Sequence, residues 1–213
     1  MTHFSGYAIA LHTSSPDLGL AISNFSGDHR QQTWHLGREQ SNLMHSLLAD
    51  FLAPQTWSDL TFLAVVIGPG GFTGTRMGVV MARTISQQLN LPLFGISSLA
   101  AIAHRQGDPI VAVQMPAQRG ELHTAIYQRH DRELQALYPD TVRSPQDWQA
   151  LLAQQPATLV QADAAQGDYA QSVLALAYQR WHRGERSDWA EVLPFYGQHP
   201  VTKYRHGDSI RPD

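Results

Sequence analysis

Residues 62–89 read "FLAVVIGPGGFTGTRMGVVMARTISQQL". The opening run, Phe62 to Gly68, is apolar throughout and carries the β-branched Val65, Val66 and Ile67, as a strand buried on both faces would. A glycine-rich turn follows, and apolar periodicity then predicts a helix from about Thr75 to Leu89, with Pro92 marking its exit. Strand, glycine loop and helix in this order are the building unit of an α/β fold. Such a loop often cradles phosphate at the helix N-terminus.

Neither nucleotide template fits the loop. A Walker A loop needs G-x-x-x-x-G-K-[ST], but Pro69 stands at the first glycine, Thr75 at the lysine and Arg76 at the hydroxyl. A dinucleotide fingerprint needs G-x-G-x-x-G and an acid about 20 residues on. Here Gly68, Gly70 and Gly74 are spaced one residue too wide, and no Asp or Glu occurs between Asp59 and Asp108. What remains for Gly68, Pro69, Gly70, Gly71, Phe72, Thr73 and Gly74 is a tight loop that lets backbone come close to something. Glycines that merely turn the strand into the helix are the plainer alternative.

The helix is apolar around most of its circumference, which predicts burial on more than one side. Met77, Val80, Met81 and Ile85 form one flank, and Val79, Ala82 and Leu89 another. One side can pack on the sheet, leaving Arg76, Met77, Val80, Met81 and Thr84 as a candidate partner interface. The loop glycines would let that helix lie close to a partner's matching helix. Arg76 at the helix start opposes the dipole by about a few tenths of a kcal/mol, which suggests a use of its own.

Outward from this unit, "YAIALHT" and "LGLAISN" are short strands around the turn cluster "SSPD", and "QTWHL" alternates as a third. Ser41 to Leu52 has helical spacing and stops at Pro54. "LFGIS" reads as a strand and "SLAAIAHRQ" as a helix capped by Ser97 or Ser98. "PIVAVQM", "ELHTAIYQR" and "ELQALYPDTV" then read as three strands. "PQDWQALLAQQ" is a helix with Ser144 as N-cap and Pro145 at its first position. "ATLVQAD" is a strand and "DYAQSVLALAYQRWHR" a closing helix. Three strands, helix, strand, helix therefore occur twice. This predicts two related lobes, residues 1–106 and 107–204, with a polar tail, 205–213, that reads as disordered.

The 213 residues suffice for a substantial core, and 43% are hydrophobic. Net charge of −3 without a basic cluster argues against a dedicated nucleic-acid patch. The absence of cysteine excludes disulfides and thiolate metal sites and fits a reducing cytoplasm. No signal sequence or membrane-length apolar run is present, so a soluble cytoplasmic protein with no membrane partner is expected. Eleven histidines are present, but no zincin spacing is, and His123 and His130 lack a third ligand in sequence. No metal, no cofactor and no catalytic residue is therefore expected. No nucleophile elbow is found.

"IGPGGFTGTRMGVVMARTISQQLNLPLFGISSLAAIA" resembles the motif region of the TsaB family of tRNA threonylcarbamoyladenosine biosynthesis proteins, formerly grouped with glycoprotease-like proteins. That family carries "GPGSFTGLRIG…AKGLA" followed by "…GVSSLEALA". "YAIALHTSSPDLGLAIS" resembles its opening hairpin, "RGELHTAIY" its "RGEVYWA.Y" hairpin, and "PFYGQHPV" its closing segment. The resemblance implies two RNase-H-like lobes of the actin-like, sugar-kinase and Hsp70 type. It also implies a scaffold subunit beside a TsaD-type paralogue that performs the transfer, with a TsaE-type ATPase joining and tRNA met only through the complex. The same helix surface could pair with a second copy of the chain when the paralogue is absent, which leaves homodimer and heterodimer both open.

Three positions depart from the family. His12-Thr13 stands where relatives have "DT", and imidazole cannot hold magnesium as a carboxylate does. Pro116-Ala117-Gln118 replaces "DAR". Glu39 to Ser41 reads "EQS", where relatives often have a histidine and a serine. His12 is then either a proton carrier or a strand-end histidine. A catalytic alternative, a divergent sugar-kinase-like phosphotransferase or a peptidase using its own cleft, is disfavoured by the missing acid and the missing metal motif.

Overall fold

The computed structural model describes residues 4–131 and 133–195. In the first half β1 (Tyr7–His12), β2 (Asp17–Ser23) and β3 (His29–His35) form an antiparallel meander. Helix α1 (Gln40–Leu52) leads to β4 (Leu60–Gly68), which pairs parallel to β1. Helix α2 (Phe72–Leu89) leads to β5 (Leu93–Ser97), parallel to β4, and then to α3 (Ser98–Arg105). The sheet order is β3-β2-β1-β4-β5.

The second half repeats the pattern. Strands β6 (Ile110–Pro116), β7 (Leu122–His130) and β8 (Glu133–Arg143) form a meander, followed by α4 (Pro145–Gln154), β9 (Thr158–Gln161) and α5 (Ala170–His182). The order is β8-β7-β6-β9, with β9 parallel to β6, so the strands of the first sheet recur in the same arrangement without the fifth. This is the expected α/β class of two RNase-H-like lobes.

Burial follows the strand alternation. Along β4, Leu63 and Val65 enter one core with α1 and α2, while Phe62, Ala64 and Val66 enter another on the opposite face. All five are fully buried, so the strand is indeed covered on both sides. Each large side chain among them contributes roughly 1.5–3 kcal/mol. The second face is rich in alanine (Ala8, Ala10, Ala21, Ala64), and those small side chains let α5 settle on it through Ala170, Val173 and Ala177. Helix α3 packs instead on the second sheet, through Leu99, Ile102 and Ala103 against Val111, Val113 and Ala125. The last helix of each half thus lies on the other half's sheet, and the two helices meet.

Several local signals act as the sequence suggests. Ser97 Oγ caps α3 by accepting from the Leu99 and Ala100 amides at 3.1 and 3.2 Å. Ser144 caps α4, with Pro145 as its first residue. Asn90 closes α2 in the left-handed conformation at φ 54°. Beyond α5 the chain returns to the first lobe. The Ser187 carbonyl accepts from the Leu93 amide, and the Phe195 amide donates to the Ile67 carbonyl at 2.7 Å. The tail at 205–213 lies outside the described residues.

Candidate functional site

Helix α2 begins at Phe72, three residues before the sequence-based start at Thr75. Gly71 is the N-cap residue, and its carbonyl accepts from the Thr75 amide at 3.0 Å to close the first turn. Of the expected loop, only Gly68, Pro69, Gly70 and Gly71 precede the helix; Phe72, Thr73 and Gly74 form its first turn. Arg76 consequently sits a full turn inside, where the dipole penalty has faded. Its guanidinium lies 5.1 Å from the centre of the Phe72 ring.

The close approach predicted for the glycines is made within the chain. At Gly70 an added Cβ would stand 2.2 Å from the Ser14 carbonyl oxygen, and at Gly74 2.2 Å from that of Thr13. At Gly78 it would stand 2.1 Å from Thr13 Oγ1. The Gly71 amide donates to the Ser14 carbonyl at 2.6 Å. The glycines therefore seat α2 on the turn between β1 and β2, not on a partner's helix. Gly68 has φ +98°, a conformation that favours glycine.

The turn is braced from two further sides. The buried Gln40 amide group donates to the Ser15 and Asp17 carbonyls, at 3.2 and 2.8 Å. From the second lobe the Gln166 amide donates to Ser15 Oγ at 3.1 Å. The space at Gly19 is filled by the Gly167 backbone. The "EQS" segment thus carries a structural residue that no helical or strand periodicity announced. Gln166 gave no sequence signal at all, because its role depends on a contact 151 residues away.

His12 ends β1 and is wholly buried. Neither ring nitrogen has a hydrogen-bond partner in the protein. Burial pushes its pKa down to about 4, against a partial lift from the Asp17 carboxylate, so the ring is neutral at physiological pH. Asp17, the acid nearest in sequence, binds His35 Nδ1 at 2.8 Å and raises that exposed imidazole's pKa. Among the described residues no three His, Asp or Glu side chains gather as metal ligands. His123 and His130 both lie on β7. No helix among the described residues is long and apolar enough to cross a membrane.

The residues expected at a partner interface fall together on the outside of α2. Val80 is 61% exposed and Phe72 56% exposed. Arg76 and Thr84 are also exposed, one turn to either side of Val80, while Met77 and Met81 are half-buried along one margin, against the core of the first lobe. Val79, Ala82 and Ser86 are buried beneath them. The helix thus has one face seated on its own lobe and an opposite face with apolar and cationic groups directed outward.

Fold and site define a two-lobed α/β protein whose glycine loop packs on its own first turn and whose strand-end acid position holds a buried imidazole. The family model described as "TsaD: tRNA N6-adenosine threonylcarbamoyltransferase" matches residues 38–191, well over half of the chain. The tRNA threonylcarbamoyladenosine biosynthesis protein TsaB of Bacillus subtilis is 32% identical over 151 residues, which span 68% of this chain and 65% of that protein. TsaB of Escherichia coli is 32% identical over 100 residues, 44% of this chain and 43% of that protein. The chain thus spans less than two thirds of the length of either relative. YeaZ from Pseudomonas aeruginosa shares the fold with a TM-score of 0.76 at 23% identity, covering 90% of this chain and 99% of that one. The chain belongs to the TsaB family.

Proposed function

We propose that this chain is a non-catalytic scaffold subunit in the synthesis of N6-threonylcarbamoyladenosine in tRNA, supporting threonylcarbamoyl transfer by a TsaD-type paralogue. It acts in the cytoplasm, with a TsaE-type ATPase joining the assembly and tRNA met through the complex. The observation that carries the reading is the outward face of α2, where Arg76, Met77, Val80, Met81 and Thr84 surround exposed apolar surface on a helix whose other side is already packed. The names of the relatives supply the pathway. A buried, neutral His12 in place of a carboxylate supports a supporting role over chemistry of its own. The same face pairs two copies of the chain when the paralogue is absent.

Val80→Asp tests the seam. At a site this exposed the substitution costs folding little, within about 0.5 kcal/mol. In a closed interface it leaves an unpaired charge and costs association roughly 3 kcal/mol or more. The folded variant should lose a purified TsaD-type partner in pull-down, sediment as a monomer, and fail to support tRNA modification in reconstitution. A folded variant with unchanged partner affinity would remove α2 from the interface.

A further inference from the structure

The glycine loop is tied to the second lobe by a chain of buried and half-buried side chains that the scaffold reading leaves unused. Asp140, on β8, accepts from Ser97 Oγ and from the Tyr127 hydroxyl, each at 2.5 Å. Ser97 ends β5, pairs with Gly68, and caps α3 with the same oxygen. Its neighbour Ser98, fully buried, donates to the Pro69 carbonyl at 2.5 Å. Two residues on, the Gly71 amide holds the Ser14 carbonyl and Gly71 caps α2. A continuous path therefore runs from strands β7 and β8, through the start of α3, to the loop and the first turn of α2. The carboxylate is half-buried, and its two donors offset the water it loses.

We propose that Asp140, with Tyr127 and Ser97, is the positioning group of the glycine loop: it fixes the loop and the outer face of α2 relative to the second lobe. The consequence for partner binding rests on the scaffold reading above; the coupling itself does not. The Tyr127 hydroxyl bonds Asp140 and also reaches Ser97 Oγ at 3.4 Å, so its effect on the loop runs through Asp140 or directly through Ser97, and from there by way of Ser98. A staple that only adds stability would loosen the whole fold evenly. A positioning group loosens the loop more than the sheet.

Hydrogen exchange on the free chain separates the two. Tyr127→Phe should speed exchange of the Gly71 and Thr75 amides about tenfold relative to amides of β1 and β4, consistent with loss of one part-buried hydrogen bond to a carboxylate. Ser98→Ala should do the same, and the double variant should be little faster than either single one, because both cut one path. Asp140→Asn keeps the shape and should also loosen the loop; if it does not fold, Tyr127→Phe decides alone. Unchanged loop exchange in Tyr127→Phe, or effects that simply multiply in the double variant, would overturn the proposal. Titration of each variant with the TsaD-type partner is the second arm. Weakened affinity alongside loop loosening supports both readings, whereas a loosened loop with unaltered affinity keeps the coupling and removes the seam.

Discussion

Gly74→Ala is the sharpest test of how α2 is seated. An added Cβ at that position meets the Thr13 carbonyl oxygen at 2.2 Å and Gln40 Oε1 at 2.7 Å. The glutamine could swing away, but it would then abandon the Ser15 and Asp17 carbonyls it holds. The carbonyl belongs to backbone between two paired strands and cannot rotate aside. Helix and turn must therefore separate by about 1 Å to reach ordinary contact, a small-to-large change in packed surroundings that costs about 3 kcal/mol. Alanine returns up to about 1 kcal/mol of helix propensity, leaving a net loss of about 2 kcal/mol. For a domain of this size that lowers Tm by about 4–8 °C. Urea unfolding and thermal melts of Gly74→Ala should show this loss. Gly107→Ala, where nothing lies within 4 Å of the added carbon, should change stability by no more than about 0.5 kcal/mol. A Gly74→Ala protein as stable as the parent, or more so, would mean that the glycine face does not touch the turn.

Acid should destabilise the fold through its histidines. His12, lowered to about 4 by burial, binds fewer protons folded than unfolded between pH 4 and its ordinary 6.5. Stability is therefore intact above about pH 6.5 and falls as pH drops toward 4, by about 3 kcal/mol from this group. His104 and His123, both lowered by burial, act in the same direction, while the raised pKa of exposed His35 opposes them. Denaturation midpoints that stay flat from pH 7 to 4.5, or a slope undiminished in His12→Asn, would contradict the assignment. The isolated chain should give no isotherm with Mg-ATP in calorimetry, since His12 offers no carboxylate and the glycines already contact the first turn. Micromolar one-to-one binding would sink the scaffold-only reading.

Much of the fold was legible because its signals are local. The apolar run in β4, the prolines after α1 and α2, and the serines before α3 and α4 each act through neighbours a few residues away. The doubled order of strands and helices could be read from those elements alone. Helix exchange between the lobes could not, because an alanine-rich strand face reads as apolar whichever helix covers it. Gln40, Gln166, Tyr127 and Asp140 were equally silent. Each is polar, all but the half-buried Asp140 are buried, and the partner lies from 13 to 151 residues distant in sequence. Nothing in residue type marks such a group until the fold brings its partner to it.

The glycine loop shows where a correct local reading takes the wrong direction. Failure of both phosphate templates pointed to close approach, and close approach is what the structure contains. The partner was misjudged, and helical periodicity holds the reason. Gly74, Gly78, Ala82 and Ser86 recur every fourth residue and share the side that meets the first lobe. Phe72, Arg76, Val80 and Thr84 recur at the same interval but are offset by two residues, about 200° around the axis. A helix start placed at Thr75 counted Gly74 as loop, which hid the small-residue stripe and made glycine and seam look like one feature. With the start at Phe72 they separate into opposite faces with distinct tasks. The small residues fix the helix on its own lobe, and the fixed helix holds its other face, the proposed seam, steady. This division explains why substitutions at Gly74 and Val80 should have opposite signatures, the first lowering stability with the outer surface chemically unchanged, the second sparing stability while removing association.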